Sequence, residues 1–441
     1  MKIIQSILLA LLSLSVCFGQ KDKLNDKIVA AADKEAESLK SVYIDLHKNP
    51  ELSMMEFETS KKMADHLRKL GLQVITGIGG NGVAGILKNG EGKVIMLRTD
   101  MDALPVKENT GLTYASTVVM KDASGKENPV MHACGHDLHM TTWLGIIEAM
   151  VSFKDEWKGT LVAIAQPAEE GAAGALSMLQ DNLFKKVPVP DYVLCYHVSA
   201  DLPVGTIGYC PGPILAGVKS AEITVYGSGG HGAMPQNTID PIVLAARIVL
   251  DIQTIVSRRI NPVKPAVVTV GAIHGGTKNN IIPDEVKMLL TIRFFEDEVY
   301  QTIKTSLINI TRGDAISAGL AENKMPLLVF ESSDNPPTKN DPDLVMKSVR
   351  SMKSILGDDN LIQVAPSTGS EDFAQYGLTS EKIPIALFWL GGVNLEKYRD
   401  HIEKGTLLPP IHNSSFAPDF DPAFRTGVKA MTKNLIELFR K

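Results

Sequence analysis

The stretch LVAIAQPAEEG, residues 161–171, runs from five apolar residues into two adjacent carboxylates, and it decides the fold class. A short continuous apolar run of this kind is typical of a strand buried on both faces of a sheet. Comparable β-rich runs lie at 83–87, 94–98 and 192–198, and a helical pattern covers 139–153. Strands that alternate with helices predict an α/β sheet with both faces covered.

Two helices are predicted ahead of this sheet. Apolar residues recur every three or four positions over 24–46, and the pattern stops before Asn49-Pro50. A second helical pattern covers 56–70, with Gly71 placed to cap its C-terminus. The first helix therefore has one apolar face.

A segment that could be a domain of its own interrupts this pattern, and we predict that it is inserted as residues 218–328. The chain order within it is strand, helix, two strands and helix, which suits a small sheet-and-helix layer. Its helix after Asp240-Pro241 begins with an N-cap aspartate and a first-turn proline. The larger domain would then consist of residues 20–217 and 329–441.

The N-terminal segment, residues 1–19, is predicted to be a signal peptide. Lys2 precedes an apolar run, and small residues surround Gly19, which is the order of a secretory signal. The run is too short for a stable membrane span, so we expect an exported, periplasmic or secreted protein. Of the cysteines beyond this segment, Cys134 has polar company, and a Cys195–Cys210 bridge is left open by the sequence.

Composition and missing motifs exclude several function classes. The net charge of −5 is mild, and no Lys/Arg run carries interleaved aromatics, so nucleic acid is not an expected partner. The glycine-rich residues 77–82 match the dinucleotide fingerprint formally, but a strand follows them where a phosphate site needs a helix. The Gly-x-Ser-x-Gly elbow of serine hydrolases is absent from the sequence.

Metal-binding residue types concentrate in MHACGHDLH, residues 131–139. Cys134 and His136 are the right types for zinc, although a structural turn with solvated histidines is an alternative. Other candidates follow strands, because His197 ends one apolar run and Glu169-Glu170 follow another. Active-site residues of α/β sheets gather at such strand ends. One more histidine, His412, lies in a loop before the last predicted helix.

The two adjacent glutamates suggest a division of labour. Adjacent residues on an extended chain point to opposite sides, so only one of Glu169 and Glu170 is expected to face a given ion. One would then bind metal while the other holds a proton near a metal-bound water. The alternative is a solvated surface pair, which would have to explain the apolar run before it.

These motifs, taken together, resemble the amidohydrolase branch of the aminoacylase/carboxypeptidase-G superfamily of metallopeptidases, which includes hippurate hydrolase and indoleacetyl-amino-acid hydrolases. The resemblance covers nearly the whole chain beyond residue 19. It is carried by HKNPELS (47–53), RTDMDALP (98–105), MHACGHDLH (131–139), QPAEEG (166–171), GGHGAMP (229–235), NIIP (280–283) and GSEDFA (369–374).

The resemblance implies a mixed-sheet catalytic domain with a dinuclear metal site, and an inserted ferredoxin-like α+β lid domain. Two divalent ions are implied, with zinc the first expectation and manganese, cobalt or nickel open. The implied metal ligands are Cys134, which would bridge the ions, together with His136, His197, Glu170 and His412. Glu169 would be the general base, and Asp102 would orient a ligand histidine.

The lid domain would add two residues and a possible subunit contact. In relatives, the histidine that matches His231 helps to hold the reacting carbonyl oxygen, often from the lid of a partner subunit. Asn280 could help to grip the substrate from the same domain. A homodimer formed through the lid is therefore expected.

The implied activity is hydrolysis of an amide bond to an amino acid with a free carboxylate. A metal-activated water would attack, with Glu169 as the base that takes and returns a proton. N-acyl amino acids and small peptides are the expected substrates. A carboxypeptidase acting on longer peptides is one alternative, and a catalytically silent binding protein that retains the fold is another.

Overall fold

The structure is a computed structural model that describes residues 23–331 and 335–440. The predicted signal peptide, residues 1–19, lies outside these ranges. Within them, no helix is long and apolar enough to cross a membrane. The chain divides into two compact units, and the first comprises the residues up to Tyr209, Asp341–Val364 and the residues from Ile383 onward. The second unit comprises Cys210–Asn340 and Ala365–Lys382.

The strands and helices are numbered here in chain order over the described residues. The strands are β1 (Gln73–Ile78), β2 (Gly82–Asn89), β3 (Val94–Asp100), β4 (Val119–Lys121), β5 (Glu127–Pro129), β6 (Gly159–Gln166), β7 (Tyr192–Pro203), β8 (Ile207–Tyr209), β9 (Gly212–Leu215), β10 (Gly217–Tyr226), β11 (Gly230–His231), β12 (Ala266–Gly275), β13 (Ile281–Ile282), β14 (Glu285–Phe294), β15 (Leu327–Phe330), β16 (Thr338–Asn340), β17 (Leu361–Gln363) and β18 (Ile385–Val393). The helices are α1 (Lys23–Lys48), α2 (Phe57–Lys69), α3 (His136–Ser152), α4 (Gly174–Gln180), α5 (Leu183–Lys186), α6 (Pro241–Thr254), α7 (Asp297–Ser317), α8 (Pro342–Leu356), α9 (Leu395–Lys404) and α10 (Phe420–Arg440).

The first unit is built on an eight-stranded mixed sheet. Its strand order is β1-β2-β6-β3-β7-β18-β8-β17. The four central strands β6, β3, β7 and β18 run parallel, and β2 and β8 pair antiparallel at either side of them. This confirms the predicted α/β class and its mixed sheet.

The central strands are buried on both faces. Every residue from Leu161 to Ala165 in β6 is 0% exposed, as the continuous apolar run predicts. Alternate residues Leu161, Ala163 and Ala165 join one large core, which also contains the apolar faces of α1, α3, α8 and α10. The apolar residues that recur every three or four positions in α1 therefore form the face of this helix that packs in the core.

The second unit contains a smaller, wholly antiparallel sheet. Its order is β12-β14-β10-β15, and the chain passes through it as β-α-β-β-α-β, the ferredoxin-like arrangement. Helices α6 and α7 share a separate hydrophobic core with one face of this sheet. At the start of α6, the Asp240 side chain accepts hydrogen bonds from the Ile242 and Val243 N–H groups, as an N-cap does. This unit includes the predicted insert, residues 218–328, and further residues on both sides of it.

The cysteine question left open by the sequence is answered within the described ranges. Cys134, Cys195 and Cys210 are all buried there and form no disulfide. Cys195 lies inside β7, in the apolar run that predicts a buried strand.

Candidate metal centre

The centre lies at the carboxyl ends of parallel strands of the first unit, where polar residues follow the strands. Strands β3 and β6 are in register, with Asp100 opposite Gln166 at their last pair. Asp102 lies two residues beyond the end of β3, and the two glutamates follow β6 after a short turn. Carboxyl ends of parallel strands share one edge of a sheet, so these side chains meet there.

Cys134 and His136 are placed by the start of helix α3. Gly135 between them has a φ of 79°, a left-handed conformation that favours glycine. A Cβ atom at Gly135 would lie 2.7 Å from the Val198 side chain, so the position has no room for one. The helix can therefore begin close against β7, which brings both candidate ligands toward His197.

Five predicted ligands converge in this centre. The Cys134 sulfur lies 3.4 Å from His197 Nε2 and 3.3 Å from His412 Nε2. Ligand atoms of Cys134, His136 and His197 lie within 4.8 Å of one another, and so do those of Cys134, Glu170 and His412. Cys134 is the one residue shared by these two groups, which is the position that a bridging ligand requires.

Main-chain carbonyls fix the tautomers of two of these histidines. His136 Nδ1 lies 2.8 Å from the Asp102 carbonyl oxygen, and His197 Nδ1 lies 2.8 Å from the Val198 carbonyl oxygen. A carbonyl only accepts, so each Nδ1 carries a proton, and in the neutral ring Nε2 is the nitrogen with the lone pair. Both imidazoles thus present Nε2 to the centre as a neutral metal ligand would.

Unused polar atoms point to a cation. His136 Nε2 and Glu170 Oε1 are buried and make no hydrogen bond to any described residue. Buried polar atoms are otherwise nearly always paired, so two such atoms 3.9 Å apart need an explanation. A divalent ion supplies one, because sulfur, imidazole nitrogen and carboxylate oxygen together suit zinc and similar metals.

The electrostatics agree with this explanation. Burial, followed by the negative charges of Glu170, Glu169 and Asp100, raises the pKa of the Cys134 thiol well above its ordinary value. Burial alone would lower the pKa of His136, but Asp100, Asp102 and Glu170 raise it to about 10. The site therefore attracts positive charge, and it holds a thiol whose ionisation calls for a cation.

The expectation that the two glutamates point to opposite sides is wrong. Carboxylate oxygens of both Glu169 and Glu170 lie within 4.8 Å of each other and of a His136 ring nitrogen. The reason is that β6 ends at Gln166 and the glutamates lie in a turn, in which Ala168 has a φ of 49°. The alternation that holds along extended chain does not apply there.

Asp102 holds this turn. Its carboxylate accepts hydrogen bonds from the backbone N–H groups of Glu169, at 3.1 Å, and Glu170, at 3.0 Å. It also accepts one from the Ser53 hydroxyl, at 2.6 Å. Its main-chain carbonyl, rather than its carboxylate at 3.4 Å, takes the His136 hydrogen bond. Asp102 therefore orients three residues of the centre, of which the sequence indicated only a histidine.

His412 reaches the centre from the loop before α10. Its φ is 66°, which costs about 1–2 kcal/mol for a residue other than glycine. The His412 N–H donates to the Ala133 carbonyl at 2.7 Å, one residue before Cys134. Strained residues of this kind often mark functional sites. Its side chain is 50% exposed, so this part of the centre faces solvent.

The buried surroundings include residues that sequence reasoning did not single out. Asp100, His136 and His139 form another group of ligand-type atoms within 4.8 Å. Asp100 lies two residues before Asp102 in the RTDMDALP motif, so its presence there was the available signal. His139 lies three residues after His136 in MHACGHDLH, and it is buried, as are His132 and Asp137 of the same stretch.

The two predicted residues of the lid lie together in the second unit. His231 is in β11, which pairs with β13, and the Gly232 N–H donates to the Asn280 carbonyl at 2.9 Å. The Ala233 N–H donates to His231 Nδ1 at 3.0 Å, so Nε2 carries the proton of a neutral ring. His231 and Asn280 are both exposed residues. His231 can thus offer an N–H donor to a ligand.

Comparison with known proteins identifies the family. Residues 96–409 match peptidase family M20/M25/M40. The chain is 37% identical to thermostable carboxypeptidase 1 of Saccharolobus solfataricus over 85% of this chain and 89% of that protein. It is 36% identical to IAA-amino acid hydrolase ILR1-like 2 of Arabidopsis thaliana over 78% of this chain and 75% of that protein.

A solved structure has a similar fold. It is described as a dinuclear metal binding peptidase of the M20 family from Bacillus subtilis, and it covers 92% of this chain and 99% of its own. The TM-score is 0.75 at 29% sequence identity. The resemblance inferred from the motifs is confirmed, and the chain belongs to peptidase family M20/M25/M40 as an enzyme of the metallo-amidohydrolase and carboxypeptidase type.

Proposed function

We propose that this enzyme hydrolyses the amide bond between an acyl group and an amino acid whose carboxylate is free, using two divalent metal ions. The observation that carries the proposal is the placement of Cys134 in two groups of ligand atoms at once, beside two glutamates. One group contains His136 and His197, and the other contains Glu170 and His412. Each group would hold one ion.

The identity of the ions follows only in part from the donor set. Thiolate and imidazole favour zinc, while the carboxylate admits manganese, cobalt or nickel. When bound, the ions would supply Lewis acidity toward the substrate carbonyl and lower the pKa of a water. Cys134 would have to be ionised, and the cations would offset the burial and negative charge that now oppose its ionisation.

Glu169 would move the proton. Its backbone is fixed by Asp102, and its carboxylate lies beside Glu170 and His136 in a site that is 6% exposed at this residue. A carboxylate so placed can take a proton from water and return it to the leaving nitrogen. Glu170, one residue on, is needed as a ligand, so the two glutamates act on the same centre in different roles.

The second unit would supply the remaining polar groups. The His231 ring has its Nδ1 occupied by the Ala233 N–H, and its Nε2–H would donate to the carbonyl oxygen as negative charge develops there. Asn280, whose main chain is joined to the same loop, would contact the substrate. A homodimer through this unit would let these groups act on a neighbouring subunit.

The proposed substrate class is supported by two relatives that act on different substrates. A carboxypeptidase and an amino acid conjugate hydrolase both cleave an amide bond whose nitrogen belongs to an amino acid. The acyl side differs between them, so the amino acid carboxylate is the shared element. Because the first of these relatives is a carboxypeptidase, cleavage of C-terminal residues from peptides is a second candidate function.

The test combines metal analysis with a substrate panel. Purified protein is assayed with N-acetyl amino acids, N-benzoyl amino acids, dipeptides and longer peptides, before and after chelation. We expect about two ions per chain, activity that chelation removes and added metal restores, and no activity on the same substrates with an amidated carboxylate. A metal-free protein that remains active, or equal turnover of the amidated substrates, would contradict the proposal. Faster cleavage of longer peptides would favour the carboxypeptidase.

A further inference from the structure

We propose that His139 is a positioning residue, which fixes the proposed ligand His197 through the main chain at Val198. Asp100 and Arg98 would hold His139 in the tautomer that this role requires. The inference rests on the metal centre proposed above. It concerns the buried group of Asp100 and His139, which lies beside the five proposed ligands and is not part of them.

The first step is the hydrogen bond that joins helix α3 to strand β7. The Val198 N–H donates to His139 Nε2 at 2.7 Å. A nitrogen that accepts an N–H carries no proton, so the proton of the neutral ring is on Nδ1. Nδ1 lies 2.7 Å from Asp100 Oδ1 and donates to it. Both ring nitrogens of His139 are therefore hydrogen-bonded, Nδ1 as a donor and Nε2 as an acceptor.

The second step is the support of Asp100 itself. Its other oxygen, Oδ2, accepts a hydrogen bond from Arg98 Nη1 at 2.6 Å, and Arg98 Nε donates to Gln166 Oε1 at 3.0 Å. The side chains of Arg98 and Asp100 are both 0% exposed. A buried carboxylate that is paired in this way stays ionised, and so it keeps Nδ1 of His139 protonated.

The third step connects this network to the ligand. His197 Nδ1 donates to the Val198 carbonyl at 2.8 Å, so the orientation of the His197 ring depends on where Val198 lies. The Val198 N–H is in turn held by His139. Metal ligands tolerate errors of only about 0.2 Å in distance. A hydrogen bond that fixes the peptide next to His197 therefore bears directly on the geometry of its Nε2.

The same contacts argue against His139 as a metal ligand. Asp100, His136 and His139 have ligand-type atoms within 4.8 Å of one another, which could hold an ion. An ion at His139 would have to displace either the Val198 N–H or the Asp100 carboxylate. The ligand histidines His136 and His197 differ in this respect, because their Nε2 atoms face the centre while Nδ1 is bonded to a carbonyl.

The experiment uses two substitutions that each retain one end of His139. His139→Asn keeps a donor near the Nδ1 position for Asp100 but offers nothing to the Val198 N–H. His139→Gln places an amide oxygen near the Nε2 position, where it can accept that N–H. Metal-free full-length proteins are titrated with Co²⁺ against a competing chelator, while the visible absorption of the bound ion is followed. This readout is independent of turnover.

We expect His139→Asn to weaken one of two Co²⁺ sites by about 10–100-fold, the usual effect of removing a partner that orients a metal-bound histidine. The other site should change little, and His139→Gln should lose less affinity than His139→Asn. Trp143→Phe is the matched control, because Trp143 lies in the same helix and its Nε1 donates to the Leu97 carbonyl of β3 at 3.1 Å. It should lower thermal stability without changing Co²⁺ affinity.

Three results would overturn the inference: unchanged Co²⁺ affinities in His139→Asn, equal weakening of both sites, or the same weakening in Trp143→Phe. If His139→Asn does not fold, His139→Leu takes its place, because Leu also offers no acceptor to the Val198 N–H, and unchanged Co²⁺ affinities in that variant would overturn the inference. Wild-type protein that binds no Co²⁺ would instead refute the proposed metal centre. Failure of the two proposals is therefore distinguishable.

Discussion

Replacing each of the two neighbouring glutamates by its amide should have different effects on metal content. Gln has nearly the shape of Glu, and the backbone N–H groups of Glu169 and Glu170 are both held by Asp102. The turn should therefore survive either substitution. In Glu169→Gln we expect both ions to remain, because all five proposed ligands are unchanged. In Glu170→Gln we expect the ion held with His412 to bind more weakly, because a charged ligand becomes a neutral one.

The expected loss of activity can be given a size. Removing a general base typically costs about 10²–10⁴-fold in rate, which corresponds to about 2.7–5.4 kcal/mol in the activation free energy. We expect Glu169→Gln to fall in that range for kcat, with KM changed much less. Activity lost by Glu170→Gln should return in part when metal is added in excess, whereas that lost by Glu169→Gln should not.

The assay measures metal content by elemental analysis and kcat on the best substrate, for both variants and for wild type at several metal concentrations. Near wild-type kcat in Glu169→Gln would show that Glu169 is not the base. Loss of metal from Glu169→Gln together with full retention in Glu170→Gln would indicate that Glu169 is the metal ligand and Glu170 is the base.

Further predictions concern the bridging position, the lid and the buried acid of helix α1. Cys134→Ser should weaken both ions together, and loss of only one in elemental analysis would argue against a bridge. His231→Ala should lower kcat by about 10²–10³, the cost of one oxyanion donor, with metal content unchanged; if the donor acts across subunits, mixing this protein with Glu169→Gln under proven subunit exchange should restore activity. Burial, and then Glu148, raises the pKa of Glu35 to about 8. Folding therefore takes up a proton between pH 4.5 and 8, and stability falls as pH rises. Glu35→Gln should remove this loss, so its gain in Tm should be larger at pH 8 than at pH 5, and an equal gain at both would contradict the argument.

Local signals in the sequence account for most of the fold that was predicted. The run from Leu161 to Ala165 has no polar residue, and a strand with both faces covered is the result. The pattern over 24–46 matches α1, and Gly71 follows α2 with a φ of 81°. Each of these features depends on residues within one element, so reading along the chain was sufficient.

The details of the centre that were missed depend on distant residues. The turn after β6 is held by Glu56, whose carboxylate accepts the Ala168 N–H at 2.8 Å across 112 positions of sequence. Nothing near Ala168 predicts its left-handed conformation, since glycine is the residue that usually adopts it. The orientation of His139 also depends on distant residues, because its two hydrogen-bond partners lie on β3 and β7. Residue types indicated the ligands, but their mutual orientation is a tertiary property.

The position of β18 in the large sheet has a consequence for the synthesis of the protein. This strand lies between β7 and β8, and it aligns Trp389 with His197 although almost 200 residues separate them. At translation rates of about 5–20 residues per second, the ribosome needs roughly 10–40 s to pass from the end of β8 to the end of β18. Throughout that interval a nascent chain has an apolar strand edge at β7 with no neighbour, while the small sheet, complete at Phe330, can already form. Chains truncated before Ile385, which lack β18, should therefore depend on chaperones and aggregate through this strand edge.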